Sequence, residues 1–231
     1  MQTASNPGFI IGTFKKELKN RFLCEVQIDG ADVVCYVPSS CHLSNFLQLE
    51  GKKVLLVPTQ APNSRTPYAL FAVPYKRNYI VLNTSMANRA IESSIQGKRF
   101  SYLGKRIDGI KEHTIDGYKA DLYLPSTKTI LEVKSVISVT SHAKFPTVYS
   151  ERTLKQLASI LELLKKGYRV CFTIVSLHPY IKAVDIDTCT EFYNELVKCM
   201  DAGLIIKAYT GRLQENRFII DKEIEINYQG D

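Results

Sequence analysis

Over the first third of the chain, apolar and polar residues alternate in short runs broken by turn residues. "RFLCEVQIDG" alternates and reaches a Gly turn, and "DVVCYVP" follows at once, so the pair predicts a hairpin. "KKVLLVP" predicts a third strand, "APNSRTP" a loop, and "YALFAVPYKRNYIVLN" two more strands around Lys76–Asn78. Five short strands with polar turns fit a small barrel or sandwich, and an OB-like β-barrel is the leading reading. Near Thr84 the period changes. "TSMANRAIESSIQG" predicts a helix from Ser85 to Gln96, and "FSYLGKRIDGI", "GYKADLYL" and the longer "TKTILEVKSVISV" read as strands. "SERTLKQLASILELLKKG" is the clearest helix. Ser150 stands at its N-cap, Leu154, Leu157, Ile160, Leu161 and Leu164 form its apolar stripe, and Gly167 stops it. "YRVCFTIVSL" is continuously apolar, as in a strand covered on both faces. "CTEFYNELVKCMDAG" reads as a helix, "LIIKAYTGRL" as a strand, and the tail "NRFIIDKEIEINY" as an edge strand.

This order divides the chain into an OB-like barrel at 1–83 and an α/β sandwich with a mixed central sheet at 84–231, an α+β assembly overall. The 231 residues, 45% hydrophobic, are enough for one sizeable core or for two compact domains. No apolar stretch is long enough for a bilayer, and the start lacks the pattern of a secretory signal, so a soluble cytoplasmic protein with no membrane partner is expected. The six cysteines form no C-x-x-C pair and sit mostly in apolar runs, which argues against zinc and against a disulfide framework. A net charge of +7 leans toward polyanions, nucleic acid first.

Charge then appears where a core strand should have none. Asp121 interrupts "YKADLYL", and Glu132 and Lys134 interrupt "ILEVKS". Alternation puts Glu132 and Lys134 on one face with Val133 pointing away, and a hairpin through "PSTK" brings Asp121 beside Glu132. Buried charges need compensation. Two solutions are open: a structural salt bridge through Lys134, or a divalent cation. Hard oxygen ligands suit Mg2+ or Mn2+, held by Asp121, Glu132 and the Val133 carbonyl, with Lys134 beside an attacking water. Asp…Glu-x-Lys is the pattern of the restriction-endonuclease-like, or PD-(D/E)xK, nuclease superfamily, which this part of the chain resembles.

The segments "NRFLCEVQIDG", "SRTPYAL", "VLNTSMANRAIE", "YKADLYL", "ILEVKSV", "FPTVYSERTLKQL" and "IIKAY" occur in one order. From about Asn20 to Tyr209 the chain resembles the sugar fermentation stimulation protein A (SfsA) family. The resemblance implies an OB-like domain followed by a nuclease-like domain, DNA binding, DNA/RNA nuclease activity and a link to sugar, especially maltose, metabolism. Carried onto this chain, it puts Asp121, Glu132 and Lys134 on the superfamily motif and Glu151 and Arg152 on the S/T-E-R segment. One departure stands in the first domain. Where the family usually has P-N-T/S-G-R, this chain reads "VPSSCHL", with Cys41 for Gly and His42 for Arg.

Further candidates each carry two readings. Glu151 is a helix N-terminal acid or a third catalytic acid; Arg152 is a surface residue or a phosphate clamp. Glu92 reaches the site from the preceding helix or, more simply, lies on a solvated helix face, and Gln156, one turn along from Arg152, carries the same two readings. Lys15, Lys16, Lys19 and Arg21, placed before the first strand, form a solvated arm or a phosphate-contacting one, and Arg65 in its loop is a similar nucleic-acid candidate. Tyr68, Phe71 and Tyr75 read as core rather than as stacking platforms. The four histidines are scattered, and no phosphate-binding glycine loop is present. Two functions follow: a Mg2+- or Mn2+-dependent nuclease on DNA or RNA, or a DNA-binding regulator of sugar metabolism on the same scaffold. The sequence is compatible with a homodimer.

Overall fold

The computed structural model describes residues 8–38, 42–45, 47–59, 64–147 and 150–230. Six strands open the chain: β1 (Ile10–Glu17), β2 (Leu23–Ile28), β3 (Ala31–Tyr36), β4 (Lys53–Pro58), β5 (Tyr68–Tyr75) and β6 (Asn78–Val81). They pair in the order β3-β2-β1-β4-β5-β6, and a parallel contact of β3 with β5 at Tyr36 and Ala69 closes the first five into a barrel. This is the OB-like barrel expected, with one strand more than the alternation showed. The added strand is β1, so Lys15 and Lys16 lie within a strand and not in an arm before it. Gly12 hides that strand: a Cβ there would meet Val26 Cγ1 at 2.3 Å, so the closest crossing of β1 and β2 excludes any apolar marker. The β2–β3 hairpin turns through Asp29 and Gly30, both at positive φ, as a two-residue turn of this hand requires.

The second part begins with α1 (Met86–Ser94) and a 3-10 helix, Lys98–Leu103. The latter corrects the strand expected for "FSYL". Phe100 and Leu103, three apart and fully buried, share one face of a three-residue turn, and Gly104 at φ 79° ends it. Then follow β7 (Ile110–Lys111), β8 (Thr114–Ile115), β9 (Tyr118–Lys119), β10 (Leu122–Leu124), β11 (Thr129–Val136), β12 (His142–Lys144), α2 (Glu151–Lys165), β13 (Arg169–Ser176), β14 (Ala183–Asp187), α3 (Glu191–Asp201), β15 (Ile205–Gln214) and β16 (Arg217–Gln229). Eight of these strands form one mixed sheet, ordered β12-β14-β16-β15-β13-β11-β10-β7. The tail strand β16 is therefore interior, between β14 and β15, and not an edge. β12 and β14 are too short to announce themselves by period.

The sheet separates two cores. Ile130, Phe172, Ile174 and Ala208 face α2 and α3. Leu131, Val133, Cys171 and Tyr209 face α1, the 3-10 helix and the barrel residues Leu55, Phe71, Ala72 and Val81. β13 thus contributes to both cores, which explains its unbroken apolar run. The barrel is joined to the sheet by this shared cluster and by the Val81 N–H, which donates to the Leu177 carbonyl at 3.1 Å. Ser150 takes the N-cap position of α2 in extended conformation but makes no side-chain capping bond; Thr190 does cap α3, accepting from the Tyr193 N–H.

His178 sits at this junction, 1% exposed, edge-on to Tyr75 of the barrel at 4.6 Å and to Tyr180 at 5.8 Å. Neither ring nitrogen has a hydrogen-bond partner among the described residues. Burial, with Lys76 nearby, depresses its pKa from 6.5 to about 4. The fold holds the neutral ring, so its stability is intact above pH 6.5 and is lost as pH falls through 4. Urea unfolding of the wild type and of His178→Phe across pH 4 to 7 is expected to show the wild type losing ~3 kcal/mol relative to the variant over that window. Parallel pH profiles would refute a buried neutral His178.

Candidate functional site

The three charged residues meet at a fork in the sheet. β10 and β11 are antiparallel, with Leu122 opposite Leu131 and Leu124 opposite Thr129. Pairing stops at Leu122, where the chain bends at Asp121. The Asp121 carboxylate then takes the place of the next backbone partner: its Oδ2 accepts the Val133 N–H at 2.8 Å. Its Oδ1 accepts from the Asn88 amide of α1 at 2.9 Å. In an extended strand the N–H and C=O of one residue point to the same edge. The Val133 carbonyl is therefore directed to the side of β11 that β10 has left.

Glu132 points to the α2 face and is 4% exposed. Its Oε1 accepts from Lys134 Nζ at 2.8 Å, and its Oε2 accepts from the Tyr118 hydroxyl at 2.6 Å. The Gln156 amide of α2 donates to that hydroxyl at 3.0 Å. Lys134 keeps 28% of its side chain exposed, so the ammonium joins the buried acid to solvent. Burial, and then the Glu132 charge, raise the pKa of Asp121; the Val133 N–H, Asn88 and Lys134 reverse only part of this. Burial and the same Glu132 charge also push the Tyr118 phenol up, which keeps it a hydrogen-bond donor.

Two carboxylates thus share a mostly buried site with one ammonium, which contacts Glu132 and makes no hydrogen bond to Asp121 among the described residues. Among the described residues, two formal negative charges thus face one positive charge. A carboxylate has about four lone-pair directions, and each of these accepts only two hydrogen bonds, so oxygen donors remain. The donor set is all hard oxygen and short of positive charge, which fits a divalent cation held by Asp121, Glu132 and the Val133 carbonyl.

The family model described as the sugar fermentation stimulation protein RE domain matches residues 85–217, and the SfsA N-terminal OB domain matches residues 18–82. The chain belongs to the SfsA family. It is 29% identical over 228 residues to a sugar fermentation stimulation protein homolog of Caldanaerobacter subterraneus, covering 96% of this chain and 97% of that one. It is 26% identical over 216 residues to the homolog of Methanobrevibacter smithii, covering 87% and 90%. Among solved structures it resembles Pyrococcus furiosus SfsA in complex with Ca2+, with a TM-score of 0.78, 16% identity and 98% of each chain covered. At that identity the likeness shows the fold.

Against this family frame the remaining candidates fall in several places. Glu151 and Arg152 open α2 and are exposed; no hydrogen bond or ion pair among the described residues ties them to the fork. Arg152 shares a helix face with Gln156, four residues on. Glu92 is paired with Lys111. Lys15 is half-buried; Lys16, Lys19, Arg21 and Arg65 are exposed on the barrel, and Lys16 lies 3.6 Å from Glu25. Of the departure from the family pattern, Cys41 lies outside the described residues. His42 stands 3.7 Å from Glu17, whose carboxylate accepts the Leu43 N–H at 2.6 Å and the Ser44 N–H at 2.9 Å. Burial pushes the Glu17 pKa up, but the Ser44 and Leu43 hydrogen bonds and His42 outweigh it and leave it lowered. Phe71 is buried, and Tyr68 and Tyr75 pack on the barrel core, as expected. Sequence reasoning did not single out Asn88 and Tyr118, and it favoured the helix surface for Gln156. Asn88 and Tyr118 sit in the quoted segments "LNTSMANR" and "YKADLYL", but a neutral side chain gives no sign of which acid it will hold.

Because Asp121 titrates higher in the fold than its ordinary 3.8, its ionisation costs stability as pH rises through the folded value. Asp121→Asn, with the Asn88 amide turned over to keep its bond, is therefore expected to melt above the wild type at pH 8 in chelator. That advantage should shrink as pH falls toward 4. Melting curves at both pH values check this; a variant less stable than the wild type at pH 8 would mean that Asp121 is a purely structural anchor.

Proposed function

We propose that this chain is a metal-dependent nuclease that hydrolyses phosphodiester bonds of DNA or RNA in the cytoplasm, on a PD-(D/E)xK site. The observation that carries the reading is the pair of charge-coupled carboxylates, Asp121 and Glu132, with a single ammonium at the open end of the β10–β11 ladder. Asp121, Glu132 and the Val133 carbonyl would hold Mg2+ or Mn2+. When bound there, such an ion lowers the pKa of a coordinated water and offsets charge on phosphoryl oxygens. Lys134, partly exposed, would donate to that water and balance charge as it develops. Tyr118, backed by Gln156, fixes the Glu132 carboxylate through Oε2 and leaves its rotamer little choice. The solved relative's complex with Ca2+, another oxygen-seeking divalent ion, supports the same reading. Lys19, Arg21 and Arg65 on the barrel, and Arg152 at the head of α2, would contact phosphates.

A second reading, a DNA-binding regulator without turnover, is supported by the names of the relatives, which refer to stimulation of sugar fermentation. One assay separates the two. Single- and double-stranded DNA and RNA are incubated with the protein, with and without Mg2+ or Mn2+, beside Glu132→Gln and Lys134→Ala. Cleavage that needs the ion and drops at least ~100-fold in both variants is the expected result. Salt-sensitive binding with no cleavage, equal in all three proteins, would establish the regulator instead. Melting curves confirm that each variant is folded.

A further inference from the structure

On the barrel, two aromatic rings lie in the open. Phe22 is 38% exposed and Tyr36 41%, and Val34 beside them is 41% exposed. The rings are nearly parallel, tilted by 18°, with centroids 6.5 Å apart. The Arg21 guanidinium sits 4.8 Å from the Phe22 centroid. Their backbone is pinned from both sides. The Val37 N–H donates to the Phe22 carbonyl at 2.8 Å, the Phe22 N–H to Asn20 Oδ1 at 3.1 Å, and the Leu23 N–H to the Asn20 carbonyl at 2.8 Å. Tyr36 is held opposite Leu23 by the β2–β3 register.

Apolar side chains in the barrel wall normally point inward; these are exposed, Val34 and Tyr36 on β3 and Phe22 on the turn that also carries Lys19 and Arg21. The nearby acids are accounted for. Glu25 lies 3.6 Å from Lys16, and Glu17 holds backbone N–H groups. What remains is a pair of stacked, exposed rings with the Arg21 guanidinium over the Phe22 ring. We propose that Phe22 and Tyr36 form a stacking platform for the bases of single-stranded nucleic acid, with Lys19 and Arg21 on the flanking phosphates. This rests on the reading of the chain as acting on nucleic acid, and it narrows that reading to a strand class. A duplex hides its base faces and offers only phosphates to such a surface; an unpaired strand offers both. Base–aromatic stacking is worth about 5- to 150-fold in affinity per ring and tolerates any sequence. The pinned backbone means that little ordering remains to be done on binding.

The test uses the whole chain in chelator, so that binding is read without cleavage. Labelled 20-mers are titrated by fluorescence anisotropy: oligo-dT, an abasic strand with the same phosphates, and a duplex. The wild type should bind oligo-dT more tightly than either of the others. Phe22→Ala with Tyr36→Ala should weaken oligo-dT at least ~10-fold, toward the abasic strand, and leave the abasic affinity unchanged. The chain holds no tryptophan, so Phe22→Trp supplies a single reporter. It should keep the wild-type affinity for oligo-dT and be quenched by oligo-dT but not by the abasic strand. Equal wild-type affinity for strands with and without bases, or an unquenched Trp in the complex, overturns the platform. So does self-association of the wild type that the double variant abolishes, since the patch would then be a face for a second copy. The two readings fail separately: cleavage can stand when stacking fails, and base-dependent binding can stand when no ion supports cleavage.

Discussion

The site is built on one hydrogen bond, from the Val133 N–H to the Asp121 carboxylate. A β ladder continues while each strand offers the next backbone acceptor. At Leu122 the chain bends, and the side chain of Asp121 supplies that acceptor instead of a main-chain carbonyl. The substitution has three consequences. It stops β10 without leaving the Val133 N–H unsatisfied. It draws a carboxylate to the seam of the sheet, within reach of α1 on one face and Glu132 on the other. It leaves the Val133 carbonyl aimed at the same opening. The placing of Asp121 is thus a property of strand termination, and a backbone change that let β10 run on would remove it.

Around that bond the protein accepts an unfavourable charge balance. Glu132 alone would be satisfied, since Lys134 and Tyr118 fill one direction on each of its oxygens. Asp121 alone would also be satisfied, by Asn88 and Val133. The conflict arises only because the two stand together, each hydrogen-bonded, with Lys134 offsetting only part of the charge on Asp121. A purely structural cluster gains nothing from this arrangement, since an apolar pair would pack as well without the desolvation cost. Charge crowding of this kind in a partly buried site is what the proposed cation would relieve.

Much of this was legible in the sequence, for a physical reason. Glu132 and Lys134 break an apolar strand at the interval that puts both on one face, so period-2 geometry alone assigns them to the same side. The hairpin "PSTK" then fixes where Asp121 must fall. Elements that went unread carry weaker signals. Gly12 and two lysines disguise β1 as an arm. β12 and β14 take their place from parallel neighbours rather than from their own composition. Phe100 and Leu103 are as apolar as a strand would be, and only the three-residue interval distinguishes them. Among the site residues, charge announced the acids and the lysine. Asn88, Tyr118 and Gln156 are common neutral side chains whose role appears only when their partners are in place. The exposed rings of Phe22 and Tyr36 were invisible for the same reason, since an aromatic residue beside a strand reads as core until its burial is known.

The junction between barrel and sheet bears on how the two parts would work together. Leu55, Phe71, Ala72 and Val81 of the barrel pack in one cluster with Phe100, Val133, Cys171 and Tyr209 of the sheet half. Val133, whose N–H holds Asp121, contributes its side chain to that same cluster. Separating the barrel from the sheet would expose apolar surface at about 25 cal/mol per Å2 and would loosen the residue that positions the carboxylate. A hinge at this junction would therefore disturb the site it was meant to serve. Phe218 adds to the constraint: its ring lies against Gly211, where a Cβ would approach to 2.0 Å, so β15 and β16 meet beneath the same cluster with no slack for repacking. The shared core therefore fixes the barrel and the fork at one separation.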